Sequence, residues 1–413
     1  MIVNKHFKFL FFKFLDKNKK IFINKIRREK EEVNKMRVIF NIFLIFIFVL
    51  INKGLVLAKV SGECSNCHTM HYSQNATTSS KWGSEGPYQW LTINDCVGCH
   101  SAGDSSTGID PVTGAPIVYN TAAPSYGFYY AAGGKYEGLA GGNFYYVTTD
   151  DTHGHNIPGI TDQDSILDTA PGLSSGCSCH SSGMSLGFGS GHAGGSGGCD
   201  GCDCCHDAAH HVDDSGPVVG NTTGWPAAYY RFLSPGYDSG PHPYTMITST
   251  GFYGAEGIED SDWEKTYDST DHNEYAGGGN YTHSISLFCA VCHGDFYEYE
   301  KSSGGWYHHP TDYAIPDKGE YADAFGANGT GTGTWDPMVP VARPHSNLEG
   351  MTGPDQNVDI GTDMVQCLSC HRPHASPYAD MLRWDYENKC TTNSTDDECG
   401  CIVCHTKKSK LSL

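Results

Sequence analysis

Six times the chain reads Cys-x-x-Cys-His: at Cys64, Cys67 and His68; Cys96, Cys99 and His100; Cys202, Cys205 and His206; Cys289, Cys292 and His293; Cys367, Cys370 and His371; and Cys401, Cys404 and His405. This is the attachment signature of c-type haem. The two thiols add across the two vinyl groups on one porphyrin edge, and the next residue, a histidine, then lies beneath the iron as an axial ligand. Zinc ribbons and redox dithiols also use Cys-x-x-Cys, but neither requires histidine in the following position. A seventh place, Cys177-Ser178-Cys179-His180, is one residue short of that spacing. It can hold a haem through Cys179 alone, through a contracted Cys177/Cys179 pair, or not at all; we expect six haems and count this as a seventh.

Each iron so attached has a sixth position to fill. After Ala58 the chain holds 20 histidines, and the 13 that do not follow a cysteine make bis-histidine ligation the economical assignment. His71 and His374 follow their proximal histidines by three residues, too close to fold over the same haem, so each is expected to reach the iron of a neighbouring one. His210-His211, shortly after His206, offers the same arrangement, and His211 is taken as the ligand. His155, His283 and His309 sit in segments free to lie over a haem face. His153, His192, His242, His272, His308 and His345 are read as solvated or hydrogen-bonding rings.

The elements that must position these groups are sparse. Only 38% of the 413 residues are apolar, 50 are glycine, and the intervals 101–176, 207–288 and 294–366 have little amphipathic periodicity. The expected fold is mostly irregular coil with short α-helices around the haem sites, one near Ala379 to Tyr386, and a few short strands: a cytochrome cored by its haems. Porphyrin discs packed against aromatic side chains, among them 24 tyrosines, then supply the apolar burial that the composition lacks. Cys390 and Cys399 are left over from the haem sites and are expected to close a short disulfide loop, a contribution of about 2 to 3 kcal/mol. The net charge of -20 excludes a nucleic-acid partner that needs a basic face.

Residues 1–58 differ from the rest, with 10 Lys and 3 Arg against 4 acidic residues. Met36-Arg37, an apolar run from Val38 to Ile51 broken only by Asn41, and Val56-Leu57-Ala58 read as a basic extension and secretory signal with cleavage after Ala58. Either Met1 or Met36 is the initiator. Asn52 and Lys53 interrupt the apolar stretch, so a stable membrane span in the mature form is not expected. Residues 59–413 are read as a single multihaem domain, exported to the cell surface or beyond it, with the periplasm as second choice.

The segments Gly62 to His71, Thr282 to Phe296, and Cys367 to Tyr378 continuing to Trp384-Asp385-Tyr386 resemble the secreted multihaem c-type cytochromes with doubled Cys-x-x-Cys-His motifs of metal- and sulfur-respiring prokaryotes. Some members of that group polymerise into extracellular filaments. The resemblance implies electron transport outside the cytoplasm, with partner cytochromes or extracellular metal acceptors as redox partners and a homopolymer as one assembled form. The competing expectation is a multihaem reductase of a small nitrogen or sulfur oxyanion, which requires an iron with an open position.

Overall fold

The computed structural model describes residues 19, 27, 30, 37, 63–64, 68, 96–126, 136–157, 160–161, 202, 205–206, 208, 210, 230–233, 254–259, 266–278, 283–290, 293, 296–297, 308–325, 332–351, 353–391 and 398–405. The chain divides into two units, residues 1–56 and 57–413. In the first, the described residues Lys19, Arg27, Lys30 and Arg37 are helical and exposed. No helix among the described residues is long and apolar enough to cross a membrane.

In the second unit regular structure comes in short pieces. The helices are α1 (Val97–His100), α2 (Ile285–Ala290), α3 (Glu320–Ala324), α4 (His345–Leu348), α5 (Cys367–Cys370), α6 (Tyr386–Lys389) and α7 (Gly400–Cys404). The strands are β1 (Ser101–Ala102), β2 (Tyr119–Asn120), β3 (Tyr136–Glu137), β4 (Gly257–Ile258), β5 (Thr266–Tyr267), β6 (Glu274–Gly277), β7 (Tyr313–Ala314), β8 (Thr332–Thr334), β9 (Arg343–Pro344), β10 (Asn357–Asp359) and β11 (Met364–Val365). Among the described residues, four two-stranded ribbons pair β1 with β2, β3 with β5, β7 with β11 and β8 with β10, and one three-stranded sheet runs β4-β6-β9. Helices of four to six residues are too short to be stable alone. Something other than local propensity holds them.

Apolar packing is likewise divided, into small clusters that abut the cysteine sites. Ile315, Phe325, Trp335, Val341, Val358 and Ile360 gather with Cys404. Met338, Val339 and Trp384 pack with Cys399, Cys370 and Cys401. Phe144, Val147, Ile157 and Ala375 lie against Cys202. The Cys390–Cys399 disulfide expected from sequence is formed, and it closes the loop that delivers α7.

Polar cross-ties replace part of the missing core. Arg343, 3% exposed, donates through Nε to Glu274 at 2.9 Å, through Nη1 to Asp363, and through Nη2 to the Asp355 carbonyl at 2.8 Å. His272 is hydrogen-bonded through Nδ1 to the Asp268 carbonyl and through Nε2 to Glu274, and its ring stacks on Trp335 at 3.6 Å. A buried guanidinium with this many acceptors ties β6, β9 and β10 together.

One sequence expectation is replaced. Instead of a continuous helix near Ala379 to Tyr386, a 3-10 turn spans Ala379–Met381 and α6 begins at Tyr386. Asp380 and Met381 both take a φ of 57°, a left-handed conformation unusual for residues other than glycine. The reason lies at the neighbouring histidine.

Candidate functional site

All six Cys-x-x-Cys-His sequences share one backbone hydrogen bond. The backbone N–H of each histidine donates to the carbonyl of the first cysteine: His68 to Cys64 at 2.8 Å, His100 to Cys96 and His293 to Cys289 at 2.9 Å, and His206 to Cys202, His371 to Cys367 and His405 to Cys401 at 3.0 Å. One α-helical turn puts residues i and i+3 on the same face, so where both cysteines are described, at 96/99, 202/205, 367/370 and 401/404, the two thiols project together and the histidine follows directly beside them. The motif is thus its own scaffold, and five residues suffice to build it.

The imidazoles are then locked by their second nitrogen. Nδ1–H donates to a backbone carbonyl at His100 (Pro116, 2.8 Å), His206 (Arg231, 2.8 Å) and His371 (Asp380, 2.7 Å). At His405 the acceptor is instead a carboxylate, Glu320 Oε1, at 3.2 Å. Three of the expected distal residues follow the same rule: His155 donates to Pro373 at 2.6 Å, His283 to Gly254 at 3.0 Å and His309 to Pro310 at 2.9 Å. A proton held on Nδ1 leaves the lone pair on Nε2, the tautomer of a metal ligand. Arg231 and Asp380 supply two of these carbonyls from the same backbone device, since each starts a pair of left-handed residues, Arg231-Phe232 and Asp380-Met381. Each pair ends in a bridge back to the histidine, His206 with Leu233 and His371 with Leu382. Non-glycine residues in this conformation mark strain held by the surroundings for the sake of a site. Sequence reading misses both, because the acceptor is main chain and carries no residue signature.

Among the described residues, four attachment histidines stand opposite a second histidine. Ring centres stand 6.0 Å apart for His100 and His210, 6.1 Å for His293 and His155, 6.1 Å for His206 and His374, and 6.2 Å for His405 and His309. Two imidazoles on opposite sides of one metal, at about 2.0 Å per bond and with each ring centre roughly 1.1 Å behind its nitrogen, stand about 6.2 Å apart. The residues present therefore fit an iron between each pair. His374 is positioned by stacking on Phe144 at 4.7 Å and by Gly141, where a Cβ would come within 2.9 Å of the ring. The next residue, Gly142, has a φ of +87°, and a Cβ there would meet the Ala375 carbonyl at 1.9 Å. Glycine is required at both positions to bring the segment carrying His374 this close.

Electrostatics favours uncharged partners. Burial, followed by the charges of neighbouring histidines, pushes the pKa of His155 down to about 4 and that of His374 down to about 3, so both rings are neutral and available as ligands at physiological pH. Burial pushes the thiols of Cys370 and Cys404 up to about 12. Among the described residues, one group of three clustered metal-binding side chains occurs, Cys390, Cys399 and Cys401, and two of those are disulfide-bonded to each other.

The sites also touch one another. The thiols of Cys289 and Cys367 are hydrogen-bonded, which raises the pKa of the former and lowers that of the latter, and Cys370 lies close enough to Cys401 and Cys404 to feel their charge. Attachment edges of successive sites are thereby adjacent.

Of the residues singled out from sequence, Cys67, His71, Cys177, Cys179, His180, His192, His211, His242 and Cys292 lie outside the described residues. His210, which sequence reading set aside for its neighbour His211, is the ring opposite His100. His272, with both nitrogens hydrogen-bonded and its ring on Trp335, is a core residue.

Residues 361–410, which contain the last two motifs, match the family model described as the doubled CXXCH motif. Both keep the Cys-x-x-Cys-His spacing of c-type haem attachment, Cys367–His371 and Cys401–His405, and in this repeated motif the chain resembles multihaem c-type cytochromes. Similar solved structures are the outer membrane cytochrome S filament from Geobacter sulfurreducens, at 20% identity and a TM-score of 0.46, and the OmcS nanowires from Geobacter sulfurreducens, at 20% identity and a TM-score of 0.45. Both alignments cover 80% of this chain and 86% of the other. No curated protein matches the chain.

Proposed function

We propose that the protein carries electrons outside the cytoplasm along a chain of six or seven closely spaced c-type haems, most of them held between two histidines. The observation that carries this reading is the set of four histidine pairs at 6.0 to 6.2 Å, each joining an attachment histidine to one distant in sequence. Haem supplies a one-electron couple on its iron. The chain's own residues do the rest. Imidazoles on both sides exclude water and substrate, which favours a carrier over a reductase. The Nδ1 hydrogen bonds hold the rings in one orientation, so little rearrangement accompanies a change of oxidation state. Cys289 against Cys367, and Cys370 beside Cys401 and Cys404, keep neighbouring sites close, while His374, three residues after His371, faces His206 and so joins two sites through one short segment.

The finer reading is a subunit of an extracellular filament. His71 follows His68 by three residues and reaches an iron other than its own; if that iron belongs to the next copy, the contact is head-to-tail and does not close. Partner cytochromes or extracellular metal ions are the expected donors and acceptors, the latter favoured by the net charge of -20. Spectroelectrochemistry on the purified protein tests the carrier: full reduction by dithionite over a broad span of potentials, with ferric haem low-spin throughout, is expected. High-spin ferric haem that shifts on adding nitrite would overturn it in favour of a reductase. Imaging at high concentration tests the filament, and uniformly monomeric particles would remove it.

A further inference from the structure

Building on the carrier reading, we infer that the Cys390–Cys399 disulfide is a further redox site, which takes two electrons from a small dithiol at the surface and passes them inward at Cys401. The geometry begins with a cluster of three sulfurs. The disulfide joins the C-cap of α6 to the N-cap of α7, and Cys401, an attachment cysteine, is the second residue of α7. The Sγ atoms of Cys390, Cys399 and Cys401 all lie within 4.8 Å of one another. The bridge has an outer and an inner end. Cys390 is half-buried and is flanked by the exposed residues Lys389 and Thr391. Cys399 is 1% exposed and packs with Met338, Val339 and Trp384. Gly400, between Cys399 and Cys401, lies so close to Trp384 that a Cβ there would come within 2.3 Å of the indole. Glycine thus lets the ring press on the backbone between the two inner sulfurs and keep water from them.

Two features point beyond a brace. The bridge runs from a sulfur that solvent reaches to one set against an attachment sulfur, which is the atom joined to the porphyrin edge when haem is bound. The α7 turn is also held without it, through Cys401, Cys404 and the hydrogen bond from His405 to Glu320, so the bridge can open and leave the turn in place. Access governs thiol–disulfide exchange, which puts the attack at Cys390. One thiolate of the dithiol bonds to the Cys390 sulfur, and Cys399 departs and takes a proton. The second thiol of the reagent then closes its own disulfide and releases Cys390 as a thiol. Re-forming the Cys390–Cys399 bond gives up two electrons and two protons. The protons go to water past Cys390, and the electrons cross one at a time from Cys399 to the Cys401 sulfur, reducing two ferric irons by one electron each. In sum, one dithiol is oxidised to its disulfide, two irons are reduced, and the bridge is restored.

The test uses the full haem-loaded chain, oxidised and free of oxygen, with dithiothreitol as the dithiol. In wild type the visible spectrum should show haem reduction, with one dithiol consumed for every two haems reduced. Cys390→Ser combined with Cys399→Ser should lose most of that rate, while dithionite reduces wild type and variant to the same extent. Wild type alkylated in excess dithiothreitol, after its haems are fully reduced, should carry label on Cys390 and Cys399 by peptide mapping. Freed of reagents and reoxidised, that alkylated protein should show the same loss of rate, and it decides the matter if the double variant does not accumulate. The inference is overturned if dithiothreitol reduces the variant or the alkylated protein as fast as wild type, or if no label reaches Cys390 and Cys399. A protein without covalent haem, or one whose haems dithionite fails to reduce, would instead defeat the carrier reading on which this rests.

Discussion

Among the attachment histidines with a described Nδ1 partner, His405 alone donates to a carboxylate, Glu320 at 3.2 Å, where His100, His206 and His371 donate to carbonyls. An anion behind an iron ligand stabilises the ferric state, so the haem at His405 should have the lowest potential of these four. Glu320→Gln keeps a side-chain oxygen acceptor and removes the charge. An acceptor on Nδ1 sits roughly 7 Å from a metal on Nε2, and Coulomb's law at an effective dielectric constant of about 20 gives about 2 kcal/mol over that distance. For a one-electron couple, where a tenfold change is about 59 mV, this is an upward shift on the order of 100 mV. Glu320 and His405 are each only 17% exposed, so solvent screens little of it. A spectroelectrochemical titration of wild type and variant should differ in one component, the lowest, with the others superimposed. Identical curves would refute the argument that Nδ1 acceptors set the order of potentials, as would a downward shift.

Other outcomes follow from the same geometry. His374→Ala removes the ring opposite His206 and should turn one haem high-spin and cyanide-reactive in the ferric absorption spectrum, without loss of covalent attachment. Gly141→Ala, whose Cβ would lie 2.9 Å from the His374 ring, should produce the same spectral change in part of the molecules, because the ring must retreat. Arg343→Ala strands Glu274 and Asp363 without their cation in a buried site and should cost about 3 to 5 kcal/mol, read from denaturation curves.

What sequence made legible was what is local. A Cys-x-x-Cys-His motif contains both its chemistry and the single turn that presents it, and Cys390 and Cys399 are close enough in the chain for their disulfide to be read directly. The scarcity of regular structure followed from glycine content and the lack of amphipathic periodicity. The pairing of histidines was not legible, because the partners are 96 to 168 residues apart and nothing in their spacing says which faces which. Between His210 and His211 no residue-level signal discriminates, and the choice is made by which ring the chain turns toward His100. The missing helix near Asp380 has the same cause: local propensity yields to the need for the Asp380 carbonyl to meet His371.

The account rests on covalent haem at every attachment turn, and the most direct measurement is the haem-to-protein ratio by pyridine haemochrome, combined with the intact mass of the purified mature chain. A ratio of six or seven, with the mass raised by the same number of haems, is predicted, and the difference between the two values decides Cys177 and Cys179. A protein whose mass equals that of its polypeptide alone, with motif cysteines that react with alkylating reagent or hold zinc, would contradict it.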